Sequence, residues 1–294
     1  MVKSRSDKVF KGVAVAFVTL FALFCFIPLL MVLSVSFSNE SAVLLNGYSV
    51  LPQQPTVETY AYIFVNSGQR ILQSYGVTIT ATVVGTLLSM FITCMLSFAL
   101  SIKALRYRNV IAFICNFTII FSAGLIPWYM VCVNVLNLKN SLAALIVPSL
   151  LSVWNMFLLR TYFSDIPASL YESATLDGAG WFRIFRSIAI PLSKTALLTV
   201  GLMYALAYWN DWWNALMFIE RKELFPLQYY LYNILSNVNA ISSGRVPPGA
   251  TSVRLPAETV KMAVTMLTIG PIIFLYPFVQ RYFVSGIMSG AVKE

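Results

Sequence analysis

Three acidic residues stand out by their surroundings: Glu172, Asp177 and Asp211. Asp211 is the one acid or base inside an otherwise uncharged apolar run. A carboxylate at the centre of a bilayer costs about 2.5–3.5 kcal/mol on insertion scales, so it must face protein or water. Around it stand Tyr204, Tyr208, Trp209, Asn210, Trp212, Trp213 and Asn214. On a continuous helix, Tyr204, Tyr208, Asp211 and Trp212 share one face, and Asn210 and Asn214 share another. Flat aromatic faces beside amide and carboxylate groups suit sugar rings, whose C–H faces are apolar and whose hydroxyls need partners. Two blander readings stay open: Asp211 as a hydrogen bond between helices, and the rings as packing or an interfacial aromatic belt. The chain has no histidine. That excludes Ser-His-Asp, Cys-His and His-ligated metal chemistry. No G-x-x-x-x-G-K-[ST] run occurs, so ATP is not bound in that way. Cys25, Cys94, Cys115 and Cys132 lie in apolar runs without metal or C-x-x-C spacing, and read as small core hydrophobes in lipid or helix contacts.

Glu172 and Asp177 lie in the segment 160–194, which is too long for a simple turn. Pro167 can open a short helix. Ala168 to Leu176 are mostly good helix formers, and Asp177-Gly178 is a stop, with Gly178 suited to a left-handed cap. A second helix follows, with Trp181, Phe182, Phe185, Ile188 and Ala189 on one apolar face and Arg183 and Arg186 off it. Pro191 ends it or starts the next. A membrane-surface amphipathic segment has this shape. Acidic residues beside a glycine turn do not suit anionic lipid, however, and they favour docking to a protein.

The elements that carry these residues are membrane spans. Of 294 residues, 59% are hydrophobic and 11% charged, against roughly 45–50% and 25% in soluble domains. Six runs meet or approach the roughly 20 residues that cross a bilayer as helix: about 12–38, 71–102, 110–138, 141–159, 195–219 and 262–280. The fold class expected is an all-α polytopic membrane protein with one transmembrane domain over 1–294. The first run is too long for a signal peptide and lacks a small-residue cleavage pattern, so it reads as a retained helix. With the N-terminus inside, the inner segments hold Lys3, Arg5, Lys8, Lys11, Lys103, Arg106, Arg108, Arg160, Arg183, Arg186, Lys194, Arg281 and Lys293. The two short outer connections hold only Arg70 and Lys139. Both termini are therefore expected inside, and the net charge of +9 is inner anchorage to anionic lipid rather than a nucleic-acid surface. The outer connection 220–261, with Pro226, Gly244, Pro247-Pro248 and Gly249, reads as a solvated loop.

The pattern Glu172-Ser173-Ala174, Asp177-Gly178-Ala179, Phe182, Phe185, Ile188 and Ile190-Pro191-Leu192 resembles the EAA loop of permease subunits of bacterial ABC importers. The approach Phe157-Leu158-Leu159-Arg160, Phe163 and Ile166-Pro167 resembles the carbohydrate branch, which includes the maltose permease. So do Leu51-Pro52, Pro55-Thr56, Tyr60 and Ile63-Phe64 after the first span, Tyr208 to Trp212, Pro226-Leu227-Gln228, and the ending Gly286-Ile287-Met288 and Gly290 to Lys293. Ser173 replaces the first alanine of the motif, and Thr195 stands where many members have another proline.

The resemblance implies a type I importer fold and a transport role without catalysis. The loop would be a coupling helix in a cleft of an ATPase subunit. Glu172 would pair with a basic residue there, Gly178 would permit the bend, and the face around Phe182 and Phe185 would bed the helix. The partners implied are a second permease, by family habit a different chain, two ATPase subunits carrying ATP and magnesium, an extracellular solute-binding protein and a sugar or oligosaccharide. The 220–261 connection would contact the binding protein, and the tail from Ser285 the ATPases. A stand-alone secondary transporter or channel would need charged pairs across several spans or a filter motif. An intramembrane enzyme would need a convergent catalytic set. The sequence has neither.

Overall fold

The computed structural model describes residues 5–242, 257–271 and 273. The helices in chain order are α1 (Arg5–Ser36), α2 (Glu40–Asn46), α3 (Glu58–Ser101), α4 (Arg108–Ile120), α5 (Leu125–Met130), α6 (Ala143–Ile146), α7 (Val153–Ser164), α8 (Ala168–Leu176), α9 (Trp181–Ile184), α10 (Ile190–Leu192), α11 (Lys194–Trp209), α12 (Trp213–Phe218) and α13 (Leu227–Ser242). A further helix covers 257–271. No strand occurs among the described residues. In hydrocarbon a helix satisfies its backbone groups internally, which an isolated strand cannot do.

Val9–Ser36 and Ser67–Ser101 are each long and apolar enough to cross a membrane. Three further crossings are possible where two helices meet at a bend: α4 with α5 and its π-helical continuation (116°), α6 with α7 (53°), and the α9–α10 leg with α11 (85°). The expected runs 110–138 and 141–159 are therefore not straight helices, and 195–219 is divided between α11 and α12. The first two breaks have a local cause. Gly124 takes a left-handed φ of +89° before α5, which a residue with a side chain resists. Pro148 lies in the 3₁₀ turn after α6, and the Ser152 hydroxyl caps the start of α7. The sixth expected run begins as helix at 257 rather than 262, and its part beyond 273 lies outside the described residues. So do the tail from Ser285 and the stretch with Gly244, Pro247-Pro248 and Gly249. Within the expected outer loop, 227–242 is helix.

The described residues fall into two compact units, residues up to 69 with 231–271, and residues 70–230 with the remainder. In the first unit α1 stands bare: residues 9–28 are exposed. The unit closes around Glu40. Its carboxylate accepts hydrogen bonds from the backbone N–H of Glu258 (3.0 Å) and Thr259 (2.9 Å) and from the Thr259 hydroxyl (2.8 Å). It thereby caps the first turn of the 257–271 helix, whose N–H groups have no partner within the helix. Tyr48 donates to Glu258 at 2.5 Å, and Lys261 pairs with the same carboxylate at 2.7 Å.

In the second unit the core joins α3, α7, the 181–189 stretch and α11. Cys94, Phe98, Leu159, Phe163, Ile184, Phe185, Ala189, Val200, Tyr204 and Tyr208 are buried together. Arg160 donates from Nε to the Leu100 carbonyl (3.1 Å), and Ser97 donates to the Met156 carbonyl (2.8 Å). These bonds tie α7 to the last turns of α3. A second cluster packs Phe218 between Trp128 and Tyr129, with ring centroids 5.0 and 5.7 Å away.

Candidate functional site

The 160–194 segment is a helical hairpin seated on the core just described. Asp165, Ile166 and Pro167 lead into α8, and Pro167 precedes its first residue. α8 turns one narrow side inward. Tyr171 donates to the Phe163 carbonyl (3.2 Å) and meets the Phe98 ring edge-on. Ala174 and Ala179 pack on the same core. The rest of α8 is exposed: Glu172, Ser173 and Thr175 face outward, and Leu176 is 89% exposed.

The hairpin's bend is a Schellman closure. The Ala179 N–H reaches the Ala174 carbonyl (2.9 Å), and the Gly178 N–H reaches Thr175 (3.0 Å). Asp177 is the C-cap and donates its N–H to Ser173 (2.9 Å). Gly178 has φ +79°. It is the conformation that the Asp-Gly pair led one to expect.

The second leg departs from the expected wheel. α9 passes into a five-residue π turn, Phe185–Ala189, which widens the helix and shifts its phase. Ile184, Phe185 and Ala189 face the core. Phe185 lies 5.0 Å from the Phe98 ring and 6.4 Å from Phe163. It is therefore a core residue of this chain, not a surface that beds a partner. Phe182 lies outside that core, its ring 6.4 Å from Phe185, and is 67% exposed. Ile184 was legible as a member of an inward set with 185, 188 and 189. Arg183 and Arg186 are exposed, and Pro191 lies in the first turn of α10.

The aromatic cluster also divides. The Tyr204 hydroxyl hydrogen-bonds Thr93 Oγ1 (2.7 Å) and accepts from the Ser152 N–H (2.9 Å). The Tyr208 hydroxyl meets Ser89 Oγ (2.9 Å) and donates to the Ile146 carbonyl (3.2 Å). Both side chains are buried. They pin α11 to α3 and to the α6–α7 break, and offer no face to a solute. The partners lie in a stripe on α3, Gly85, Ser89, Thr93 and Ser97 at four-residue spacing. Small and hydroxylated residues at that interval let membrane helices approach and bond, and this signal was available in the sequence.

Asp211 does not share a helical face with the tyrosines, because α11 ends at Trp209. The Asn210 side chain donates to the Leu206 carbonyl (2.9 Å), closing one helix. Asp211 accepts from the Asn214 N–H (3.1 Å) and from its side-chain amide (2.7 Å), opening the next. Short polar side chains compete with the helix for its own backbone groups, so a pair of them breaks it. Asn214 is buried and also donates to Ser149 (3.1 Å). Asn210 accepts from Gln228 Nε2 (3.1 Å). Trp209 is half-buried. Trp212 and Trp213 are exposed and meet edge-on at 5.7 Å. Trp213 lines a hollow of about 550 Å³ with Phe121, Trp128 and Gly124, and Thr118 and Ser122 are also in its lining.

No protein-family model matches the chain. The chain is 34% identical, over 98% of its length and 99% of the relative's, to the polygalacturonan/rhamnogalacturonan transport system permease protein YtcP of Bacillus subtilis. It is 26% identical to the arabinooligosaccharides transport system permease protein AraQ of Halalkalibacterium halodurans, over 95% of this chain and 94% of that one. A crystal structure of a bacterial ABC transporter involved in the import of the acidic polysaccharide alginate contains a chain of the same fold. It matches with a TM-score of 0.81 and 32% identity, covering 96% of this chain and 99% of that one.

Proposed function

The chain belongs to the sugar and oligosaccharide permease proteins of ABC transporters, and from that premise we propose that it works as one of two permease subunits in a binding-protein-dependent importer. It is a membrane transport component rather than an enzyme. The cargo proposed is a sugar or oligosaccharide. Two ATPase subunits bind ATP and magnesium, an extracellular solute-binding protein delivers the cargo, and this chain holds no cofactor. Six crossings of the bacterial cell membrane place both termini in the cytoplasm.

The observation that carries the reading is the form of α8. A short helix bearing Glu172 and a nearly bare Leu176 is fixed at one side by Tyr171 and Ala174 and at its end by Gly178. A rigid lever with an exposed acid and an exposed apolar tip suits a cleft on a protein partner. Movement of that partner is then passed through Phe98, Phe163 and Phe185 to α3, α7 and α11. ATP-driven closure of the ATPase pair would bias the permease pair between inward-open and outward-open states.

For the passage, the exposed groups at the α11–α12 break are favoured. Trp212 and Trp213 present ring faces, Asn210 carries an exposed amide, and Asp211 and Asn214 hold the break in shape. Tyr204, Tyr208 and Trp209 position these groups from behind.

The test is reconstitution with the ATPase and binding-protein partners. Wild type is expected to co-isolate with the ATPase and to take up sugar only with ATP. Glu172→Ala is expected to insert normally and lose ATP-driven uptake. Normal uptake by both Glu172→Ala and Gly178→Pro would overturn the coupling assignment.

A further inference from the structure

An apolar groove of about 410 Å³ lies between the end of α3 and the second leg of the loop. Met95, Phe98 and Ala99 line it from α3, Ile102 and Leu105 from the turn that follows, and Trp181 and Phe182 from α9. Its rim is basic. Lys103 and Arg106 are interleaved with lining residues, and Arg108 opens α4. Arg183 follows Phe182 in the chain, and Arg186 follows Phe185. Lys103, Arg106, Arg183 and Arg186 are exposed. None of the five cations is in an ion pair among the described residues. No acidic residue occurs at 101–110 or 181–190.

Two features say what occupies such a groove. It is apolar within and cationic at its rim, which matches a molecule with an acyl chain and an anionic head. It also sits at the right depth. The stretch Ser67–Ser101 is long and apolar enough to cross a bilayer, which sets residues 102–108 at the headgroup level of one leaflet. Long basic side chains there lay their stems on apolar surface and keep the charge at the interface. The basic bias assigns this end of α3 to the cytoplasmic leaflet, where anionic lipids concentrate. A neutral lipid or an apolar helix would leave five cations unanswered.

The geometry points to a phospholipid site: one acyl chain of an anionic phospholipid lies in the groove, and its phosphate is held by Lys103, Arg106 and Arg183. The lipid braces Trp181 and Phe182 against the end of α3, and so sets the pose of the second leg of the hairpin. The inference shares with the permease reading the cytoplasmic placement of the loop, but it is tested by a separate signal.

The experiment uses the assembled transporter in nanodiscs of phosphatidylcholine containing a minor fraction of brominated phosphatidylglycerol, or of brominated phosphatidylcholine. Bromine quenches tryptophan on contact, and the difference between wild type and Trp181→Phe isolates the Trp181 signal. Brominated phosphatidylglycerol is expected to quench that signal at lower lipid fraction than brominated phosphatidylcholine. Lys103→Gln and Arg106→Gln are each expected to weaken the preference about fivefold. Ala99→Phe fills the groove without touching a charge or adding a tryptophan, and is expected to remove the quenching. Equal quenching by both lipids means ordinary boundary lipid and overturns the site. Absence of Trp181 quenching by either lipid means that protein covers the groove, and also overturns it. ATPase co-isolation is read on the same sample. Its loss with selective quenching retained supports the lipid site and counts against the permease assembly alone.

Discussion

The ring of Tyr208 fills the space that a side chain at position 85 would need. A Cβ on Gly85 would lie 2.7 Å from Cζ of Tyr208 and 2.8 Å from both Cε atoms. The ring cannot swing aside cheaply, because its hydroxyl is held by Ser89 and the Ile146 carbonyl. Gly85→Ala is therefore expected to lower stability by ~1–3 kcal/mol through overpacking, read as thermal unfolding in detergent. Tyr208→Phe will not relieve it, since the ring atoms make the clash. A neutral Gly85→Ala would contradict the packing of α11 on α3.

Tyr204 makes a different claim. Tyr204→Phe leaves the Ser152 N–H without its acceptor and Thr93 without its partner. An unmet buried donor costs about 1–3 kcal/mol. Reduced thermal stability with an unchanged KM for the cargo is the expected pair of results. A changed KM at normal stability would return Tyr204 to the passage.

In the loop, fold and function separate by residue. Glu172→Ala removes an exposed side chain, and surface changes of that kind stay within about 0.5 kcal/mol. The loss should appear only in ATP-driven uptake. Gly178→Ala forces a side chain to adopt a left-handed φ, at ~1–2 kcal/mol, and Gly178→Asn is expected to be milder because asparagine tolerates that region. Wild-type stability of both Gly178 variants would refute the Schellman closure.

The first unit depends on one carboxylate. Glu40→Ala removes two backbone contacts and one hydroxyl contact at the start of the 257–271 helix, and is expected to cost about 1–3 kcal/mol. Hydrogen exchange should report the loss as faster exchange at Glu258 and Thr259. Unchanged protection there would argue against the cap.

The same unit predicts a pH response outside the membrane. The hydrogen bond to Glu258, with burial and the neighbouring charges adding to it, pushes the Tyr48 hydroxyl up from 10.0 to about 12. Burial raises the Glu258 carboxyl, but the bonds from Lys261 and Tyr48 and the Lys261 charge outweigh it and hold the group below its ordinary 4.5. The raised tyrosine contributes stability that is complete below pH 10 and lost as pH rises toward 12. The lowered carboxyl contributes stability present above 4.5 and lost as pH falls further. Tyr48→Phe should flatten the alkaline limb of a melting-temperature profile, and Glu258→Gln should weaken both limbs. An alkaline limb that survives Tyr48→Phe would assign it to other groups.

Much of this chain is legible one residue at a time. Its apolar runs dictate helices, because a backbone in hydrocarbon must bond to itself. Asp177-Gly178 dictates a stop, because few residues besides glycine take the left-handed cap. The missing histidine removes whole classes of chemistry. What the sequence could not determine is which way a side chain faces once a helix is broken. Asn210 and Asp211 end α11 through bonds to their own neighbours, and the expected four-residue face dissolves there. A π turn shifts the phase of 185–189, so Phe185 turns inward while Phe182 stays bare. Tyr204 and Tyr208 resembled a sugar platform until Thr93 and Ser89, more than a hundred positions earlier, came to meet their hydroxyls. Glu40 finds its partners 218 and 219 residues away. Periodicity reports neighbours along one helix. Only the tertiary structure decides which polar groups from distant helices satisfy one another, because that choice is made in three dimensions by burial and hydrogen bonding together.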